Sequence, residues 1–160
     1  MTGRVGLGFD VHGFSTDPGR PLMLGGVAID GATGLAGHSD GDVVAHALAD
    51  AMLGAAGMGD IGQHFPDTDP TWSDADSVAI LGRVAAMVHE AGWTPVNADC
   101  TVVLETPMLA PYRTRLQDRL SGVLGAPVSV KAKRSEGLGS LGRAEGIACL
   151  AVMLLEGSDR

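Results

Sequence analysis

The run GIACLAVMLLE, residues 146 to 156, restricts the fold more than any other segment, because almost every side chain in it must be shielded from water. It is much shorter than the roughly 20 apolar residues that a membrane-spanning helix needs. A continuous apolar run has no clear periodicity, so it is compatible with a buried strand and with a buried helix. In either form it has to lie near the centre of a folded domain.

Other segments have the composition and alternation of β-strands, with β-branched residues bounded by Gly, Pro and Asp. Residues 13 to 21 contain Pro and Gly and are expected to turn between the first two of these strands. The predicted strands are 4–10, 22–29, 96–104 and 127–133.

Three segments are predicted to be helices: 40–56, 73–90 and 110–124. In the first, apolar residues recur at helical spacing, Ser39 or Asp40 can cap the start, and Gly57 can end the helix. Strands and helices in this order predict one domain over residues 1–160 of the α/β class. We expect an α+β two-layer sandwich, with helices on one face of a mixed sheet of four to five strands.

Composition narrows the possible functions. Hydrophobic residues make up 45% of the chain but aromatic residues only 4%, so the core must use small and aliphatic side chains or be completed by an oligomer. A formal charge of -8 argues against a nucleic-acid-binding surface, and a phosphorylated ligand would need a metal ion, backbone amides or a local basic cluster. Cys100 and Cys149 lie in apolar stretches and no leader-like segment is present, which predicts a reduced cytoplasmic protein without a membrane span.

GFDVHGF, residues 8 to 14, places two possible metal ligands at the end of the first strand. Residues two apart on a strand point to the same face at a spacing of about 6.6 Å, so Asp10 and His12 should project together while Val11 turns into the core. His46 is the best candidate for a third ligand, because the first helix can hold an imidazole rigidly. One carboxylate and two imidazoles suit a tetrahedral Zn²⁺ with an open fourth position. On local grounds alone, a packed or solvated histidine is the alternative.

Two loops contain residues that could contact a substrate. His38 and Ser39 precede the first predicted helix, where backbone amides and the helix dipole attract anions, although Ser39 could equally be the helix cap. In GDIGQHFPDTDP, residues 59 to 70, Asp60 and Gly62 could face a sugar hydroxyl, and the acidic turn that follows could close over a ligand. An ordinary surface loop held by Asx turns is the other interpretation.

A basic cluster interrupts this acidic chain. Four of its 11 Lys and Arg residues lie between 131 and 143, beside Glu136 and several glycines. Basic charge on a flexible backbone predicts phosphate binding, and the Glu136 carboxylate suits a hard cation such as Mg²⁺. A solvated charged face is the alternative. The basic residues of this cluster are Lys131, Lys133, Arg134 and Arg143.

Taken in order, these motifs resemble the 2-C-methyl-D-erythritol 2,4-cyclodiphosphate synthase family. They are GFDVH, GGV, GHSDGDV followed by HAL, GDIG, FPDTDP, ADS and GRAEGIA, and they run through nearly the whole chain. The resemblance implies a lyase of the non-mevalonate isoprenoid pathway, which converts 4-diphosphocytidyl-2-C-methyl-D-erythritol 2-phosphate into the cyclic diphosphate and CMP. It also implies a homotrimer built around the sheets, with active sites shared between neighbouring subunits.

The resemblance assigns roles to individual residues. It implies that Asp10, His12 and His46 bind Zn²⁺ and that Glu136 binds Mg²⁺ or Mn²⁺. His38 and Arg134 fall at positions that act on the transition state. The positions implied to bind substrate are Asp10, His12, His38, Ser39, Asp60, Ile61, Gly62, Phe65, Pro66, Asp67, Thr68, Asp69, Pro107, Met108, Ser135, Glu136 and Arg143.

The chain departs from the family's usual pattern at three places. Residues 133–135 read Lys-Arg-Ser where the family typically has three threonines. Met108 stands where a lysine is usual in the cytosine-binding segment 104–110, and Ser140 replaces an aromatic residue at an axial cavity that binds prenyl diphosphates. Because of these changes, an alternative interpretation is that the chain is a catalytically weak relative that binds prenyl or cyclic diphosphates. A zinc hydrolase is a further alternative, because an open zinc site also activates water.

Overall fold

The computed structural model describes residues 1–157, which form six strands and five helices. The strands are β1 (Thr2–Gly13), β2 (Pro21–Leu24), β3 (Val27–Thr33), β4 (Trp93–Val103), β5 (Val128–Lys133) and β6 (Gly146–Gly157). The helices are α1 (Val43–Ala56), α2 (Ile61–His64), α3 (Ser77–Glu90), α4 (Arg113–Leu124) and α5 (Gly139–Gly142). In the part of the chain that the structure describes, no helix has the length and apolar character needed to cross a membrane.

The apolar run 146–156 is a strand, and it lies inside the sheet. β6 pairs antiparallel with β1 on one side and with β4 on the other, and β4 pairs parallel with β5, so the strand order is β1-β6-β4-β5. Every second residue from Ile147 to Leu155 is fully buried, whereas Leu150 and Val152 are 40% and 44% exposed. This period of two belongs to a strand. The mixed sheet of four strands with its helices confirms the predicted fold class.

Helix α1 lies directly against the inner face of the sheet. Gly8 of β1 permits this contact, because a Cβ atom at this position would lie 1.8 Å from the carbonyl oxygen of Ala47. Only a residue without a side chain allows two backbones to approach so closely. This close approach determines the distance between α1 and β1, and therefore the position of His46 on α1 relative to Asp10 on β1.

Along β1 and β6, the opposite face of the sheet is apolar and exposed in the single chain. Val5, Leu7 and Phe9 of β1 are 69%, 67% and 54% exposed. Val11 continues this alternation at 48% exposed, so the prediction that it turns into the core was wrong. The reason is that the two ligand residues flanking Val11 occupy the face that α1 covers, and the residue between them must face away.

The segment 22–29 is a hairpin rather than the single strand that its apolar residues predicted. Gly25 and Gly26 have φ angles of +57° and +72° and form the turn between β2 and β3. The carboxylate of Asp42 holds this turn, because Oδ1 accepts the Gly25 N–H at 2.9 Å and Oδ2 accepts the Gly26 N–H at 2.7 Å. The turn therefore depends on a residue far along the chain.

Asp42 also determines where α1 begins. Its Oδ1 accepts the backbone N–H groups of Val44 and Ala45, each at 3.1 Å, so the helix starts at Val43. The predicted start at residue 40, with a cap at residue 39 or 40, was wrong, because a carboxylate that caps the helix and also holds the hairpin makes more bonds than either alternative. The predicted end at Gly57 is confirmed by its left-handed C-cap geometry.

The remaining boundaries agree with the predictions within a few residues. β4 and β5 cover the predicted strands 96–104 and 127–133, and the predicted helix 110–124 is a short 3-10 turn followed by α4. The helix predicted from residue 73 starts at Ser77, because Asp76 caps it by accepting two backbone N–H groups. The preceding residues, Pro70–Trp72, form another 3-10 turn.

Candidate functional site

Asp10, His12 and His46 meet at the edge where β1 runs beneath α1. Oδ2 of Asp10 lies 3.0 Å from Nε2 of His12 and 3.0 Å from Nδ1 of His46. One ligand atom from each residue lies within 4.8 Å of the other two. The strand supplies two of the three groups and the helix supplies the third, as their positions in the sequence predicted.

Hydrogen bonds behind His46 determine which ring nitrogen faces the other two ligands. Oγ of Ser77 lies 2.8 Å from Nε2 of His46 and donates its own proton to the carboxylate of Asp40. Since that proton is committed, Ser77 must accept a hydrogen bond from Nε2–H of His46. In the neutral ring, Nδ1 then carries the lone pair that points toward Asp10. This is the arrangement of a metal-binding histidine whose outer nitrogen is held by a polar partner.

The donor set fits a divalent metal ion. Without a proton or a cation between them, the Asp10 carboxylate and the Nδ1 lone pair of His46 would repel each other at 3.0 Å. Burial alone would raise the pKa of the Asp10 carboxyl. When protons rather than a metal ion occupy the two contacts, hydrogen bonds from His12 and His46 outweigh burial and hold that pKa well below its usual range. The hydrogen bond to Asp10 in turn raises the pKa of His12. One carboxylate and two imidazoles arranged around a single cation are the ligand set of an open catalytic zinc site.

The three ligands line a cleft of about 420 Å³, whose opposite wall is the loop after α1. Oδ1 of Asp50 accepts the Ile61 N–H at 2.8 Å and ties the start of this loop to α1. Phe65 meets Trp72 edge-on with ring centroids 4.9 Å apart, and the Arg83 guanidinium lies 5.0 Å from the Trp72 ring. The loop is therefore packed from behind. The other predicted site residues that line the cleft are His38, Ser39, Ile61, Gly62, Phe65, Pro66 and Asp67.

A second pocket, of about 510 Å³, lies where β4 and β5 end. It is formed by residues 104–110, residues 131–134 and Arg113, so it contains Pro107, Met108 and most of the basic cluster. None of its lining residues lines the metal cleft. One chain thus presents two separate half-sites, one with metal ligands and one with basic groups.

Comparison with known proteins determines the family. The family model described as the YgbB family matches residues 3–156 of the chain. The chain belongs to the YgbB family. A 2-C-methyl-D-erythritol 2,4-cyclodiphosphate synthase from Symbiobacterium thermophilum is 53% identical over 156 residues, which cover 96% of this chain and 98% of that protein.

Solved structures share the YgbB fold seen here. The bifunctional IspDF from Campylobacter jejuni superposes with a TM-score of 0.93 at 42% identity, and the match covers 99% of this chain and 43% of that longer one. The IspF of Plasmodium falciparum in complex with CDP superposes with a TM-score of 0.84 at 32% identity, covering 98% of this chain and 97% of that one.

Several predicted site residues of this YgbB-family chain lie outside both half-sites. Asp60 and Asp69 use their carboxylates to accept backbone N–H groups within their own loop. Arg143 pairs with Glu145 at 2.6 Å. Glu136, at a φ of +53°, follows β5, and within residues 1–157 it is not part of any cluster of three possible metal ligands. Among these residues, only Asp10, His12 and His46 form such a cluster.

The backbone amides at the start of α1 do not face an anion site at His38 and Ser39. The first amides of the helix are already bound by Asp42, so they are not available to a ligand at His38 or Ser39. Ser39 is buried, and its Oγ lies 3.2 Å from Nε2 of His46 and 3.2 Å from Oγ of Ser77. Ser39 thus contacts the outer ring nitrogen of His46, whereas His38 is exposed at the cleft.

Sequence reasoning missed Ser77, Asp40 and Trp72. Ser77 is a fully buried polar residue that connects His46 to Asp40. Trp72 lines the cleft and packs against Phe65. The motif ADS at the start of a helix was visible in the sequence, but only the structure shows that its serine lies next to His46.

Proposed function

We propose that this chain is a metal-dependent 2-C-methyl-D-erythritol 2,4-cyclodiphosphate synthase. It converts 4-diphosphocytidyl-2-C-methyl-D-erythritol 2-phosphate into the cyclic diphosphate and releases CMP, a phosphorus–oxygen lyase reaction of the non-mevalonate isoprenoid pathway. The observation that carries this proposal is the convergence of Asp10, His12 and His46 in one cleft. It occurs in a chain that is 53% identical to a protein with this name.

The reaction needs charge stabilisation and alignment more than a general base. The 2-phosphate is already an anion and attacks the β-phosphorus of the diphosphate, while CMP leaves with the electrons of the broken bond, so no water is consumed. The barrier comes from repulsion between phosphates and from the need for in-line geometry. When bound, a divalent ion acts as a Lewis acid on a phosphoryl oxygen.

The residues of the chain divide this work between the two half-sites. Asp10, His12 and His46 are the proposed ligands of Zn²⁺, and Glu136 is the proposed ligand of Mg²⁺ or Mn²⁺. His38 and Arg134 are proposed to stabilise charge on the reacting phosphates. The proposed contacts to the rest of the substrate are Ser39, Asp60, Ile61, Gly62, Phe65, Pro66, Asp67, Thr68, Asp69, Pro107, Met108, Ser135 and Arg143.

The proposal includes a homotrimer in which each active site is shared between neighbouring subunits. The metal cleft and the pocket at residues 104–110 and 131–134 share no lining residue, which supports the view that each half is completed by another chain. The exposed apolar face at Val5, Leu7 and Phe9 supports association through the sheets. The CDP complex of the Plasmodium falciparum relative supports a cytidyl diphosphate ligand.

A complementation experiment tests the shared site. His46→Ala removes a proposed metal ligand from the metal cleft, and Glu136→Ala removes the proposed cation ligand in the turn after β5, which follows the strand that lines the second pocket. Each variant alone should be inactive, while chains unfolded and refolded together should regain part of the activity, because some interfaces then combine two intact halves. A mixture that stays as inactive as its components contradicts the shared site.

Turnover with and without metal tests the function itself. Purified protein is given the cytidyl substrate with Zn²⁺ and Mg²⁺, and CMP release is followed in the presence and absence of a chelator. We expect release that the chelator abolishes and that His46→Ala lowers by at least about 100-fold. His89→Ala is the matched control, because His89 is exposed on α3 and lines neither half-site.

The products also separate the alternatives that the sequence left open. Metal-loaded protein that releases no CMP would indicate the relative that binds prenyl or cyclic diphosphates, in keeping with the change at Arg134 and Ser140. A linear diphosphate product would indicate a zinc hydrolase.

The proposal also includes a single domain over residues 1–160 and a cytoplasmic location. Cys100 and Cys149 are buried free thiols, which supports a reducing compartment.

A further inference from the structure

Glu105 joins the two loops that form the second pocket. Its side chain is only 8% exposed, and its Oε2 accepts a hydrogen bond from Nε of Arg134 at 2.9 Å. Nη2 of Arg134 lies 2.8 Å from the same oxygen. The other carboxylate oxygen accepts the backbone N–H of Gly137 at 3.4 Å. A carboxylate from the loop after β4 thus holds a guanidinium and the turn that follows β5.

This contact uses only one edge of the Arg134 guanidinium. An arginine has five N–H donors in a planar fork, and Glu105 engages the edge formed by Nε and Nη2. The side chain of Arg134 is 69% exposed and lines the second pocket, so the donors on its other edge remain available. A guanidinium whose plane is fixed in this way can bind a second anion without losing the first.

The surrounding charges favour a phosphate as that second anion. Lys133 and Arg113 line the same pocket, and neither forms an ion pair among residues 1–157. Glu105 is the only carboxylate among the described residues that line it, and its charge is matched by Arg134. The pocket therefore has an excess of positive charge in a chain whose formal net charge is -8.

We propose that Glu105 is a positioning residue, which orients the free edge of Arg134 toward the diphosphate of a cytidine nucleotide. This inference rests on the proposed function and names a positioning contact within its nucleotide site. Glu105 does not touch the nucleotide. It acts by removing the rotational freedom that an exposed arginine would otherwise lose when the ligand binds.

The sign of one substitution separates this role from simple electrostatics. Glu105→Gln removes a negative charge beside an anion site, so an effect of charge alone would tighten CDP binding. Positioning predicts the opposite, because the amide no longer holds the guanidinium. We expect CDP binding by isothermal titration calorimetry, with Mg²⁺ present, to weaken about fivefold in Glu105→Gln and about tenfold in Arg134→Gln.

The double variant provides the second readout. With Arg134 already replaced, Glu105→Gln should no longer weaken CDP binding, because the group that it positions is absent. Asp118→Asn is the matched control, since it makes the same change in charge at an exposed position of α4 outside both half-sites, and its CDP affinity should equal that of the unmodified chain. Thermal unfolding of each variant checks that the fold is retained.

The possible results are distinguishable. Tighter or unchanged CDP binding in Glu105→Gln, or losses that add in the double variant, overturn the positioning role and leave the proposed function intact. An unmodified chain that does not bind CDP contradicts the proposed function and this inference with it. Weaker binding in Glu105→Gln that disappears in the Arg134→Gln background supports the inference.

Discussion

Replacement of Ser77 by alanine should weaken zinc binding although Ser77 touches no metal. Its Oγ accepts from Nε2 of His46 at 2.8 Å and donates to Asp40, and both contacts are lost in Ser77→Ala. The α3 helix should be preserved, because Asp76 rather than Ser77 is its N-cap. The effect of this variant therefore reports on how well His46 presents Nδ1 to the metal.

The contacts of His46 also indicate how much zinc affinity Ser77→Ala should lose. Loss of a polar partner behind a metal ligand lowers metal affinity by about 10–100-fold. Ser39 lies 3.2 Å from the same nitrogen and can take over part of the contact, so the single variant should fall at the lower end, about tenfold or about 1.4 kcal/mol. With Ser39→Ala added, the loss should approach about 100-fold.

Competition with a chromophoric zinc chelator measures these affinities directly. Ser73→Ala serves as the control, because Ser73 is an exposed serine shortly before the same helix and lines neither half-site. If Ser77→Ala and the double variant bind Zn²⁺ as tightly as the unmodified chain, the inference about the His46 tautomer is wrong. A loss confined to the double variant would mean that the two serines substitute for each other fully.

Three further substitutions test the scaffold. Asp42→Asn should lower the free energy of unfolding in urea by about 2–3 kcal/mol, because an amide cannot accept all four backbone N–H groups that the carboxylate now binds; an unchanged midpoint would refute this. Gly8→Ala should cost about 3 kcal/mol, since its Cβ would lie 1.8 Å from the Ala47 oxygen, and normal thermal stability would contradict the close packing of α1. Leu7→Glu places a charge on the exposed apolar face and should dissociate the proposed trimer, as light scattering would show; a persistent trimer would argue against association through this face.

The sequence predicted the elements well where their signals are local. The helices ending at Gly57 and Gly125 and the strands around β4 and β5 carry their own periodicity and end signals. The sequence could not assign residues 146–156 to a strand or a helix, because a continuous apolar run has no periodicity that distinguishes the two. Its pairing with β1 and β4 is visible only in the structure. Asp42 shows the same limit, since its role in holding Gly25 and Gly26 depends on a contact distant in sequence.

In the candidate site, too, the features with local signals were predictable and those that depend on distant contacts were not. Asp10 and His12 could be paired from strand geometry, and His46 could be chosen because it lies on a regular helix. The orientation of His46 could not be predicted, because it depends on Ser77, which lies 31 positions along the chain. The wrong prediction for Val11 came from assuming that an apolar residue is buried, whereas the exposed face of a strand can be an interface between subunits.

The most direct test of the proposed reaction is the fate of water oxygen during turnover. The metal-loaded protein is incubated with the cytidyl substrate in ¹⁸O-labelled water, and the products are analysed by ³¹P NMR and mass spectrometry. Because the 2-phosphate is the nucleophile, we expect a cyclic diphosphate and CMP with no ¹⁸O in either product. A linear product or CMP that carries ¹⁸O would show that water attacks phosphorus and would contradict the cyclisation.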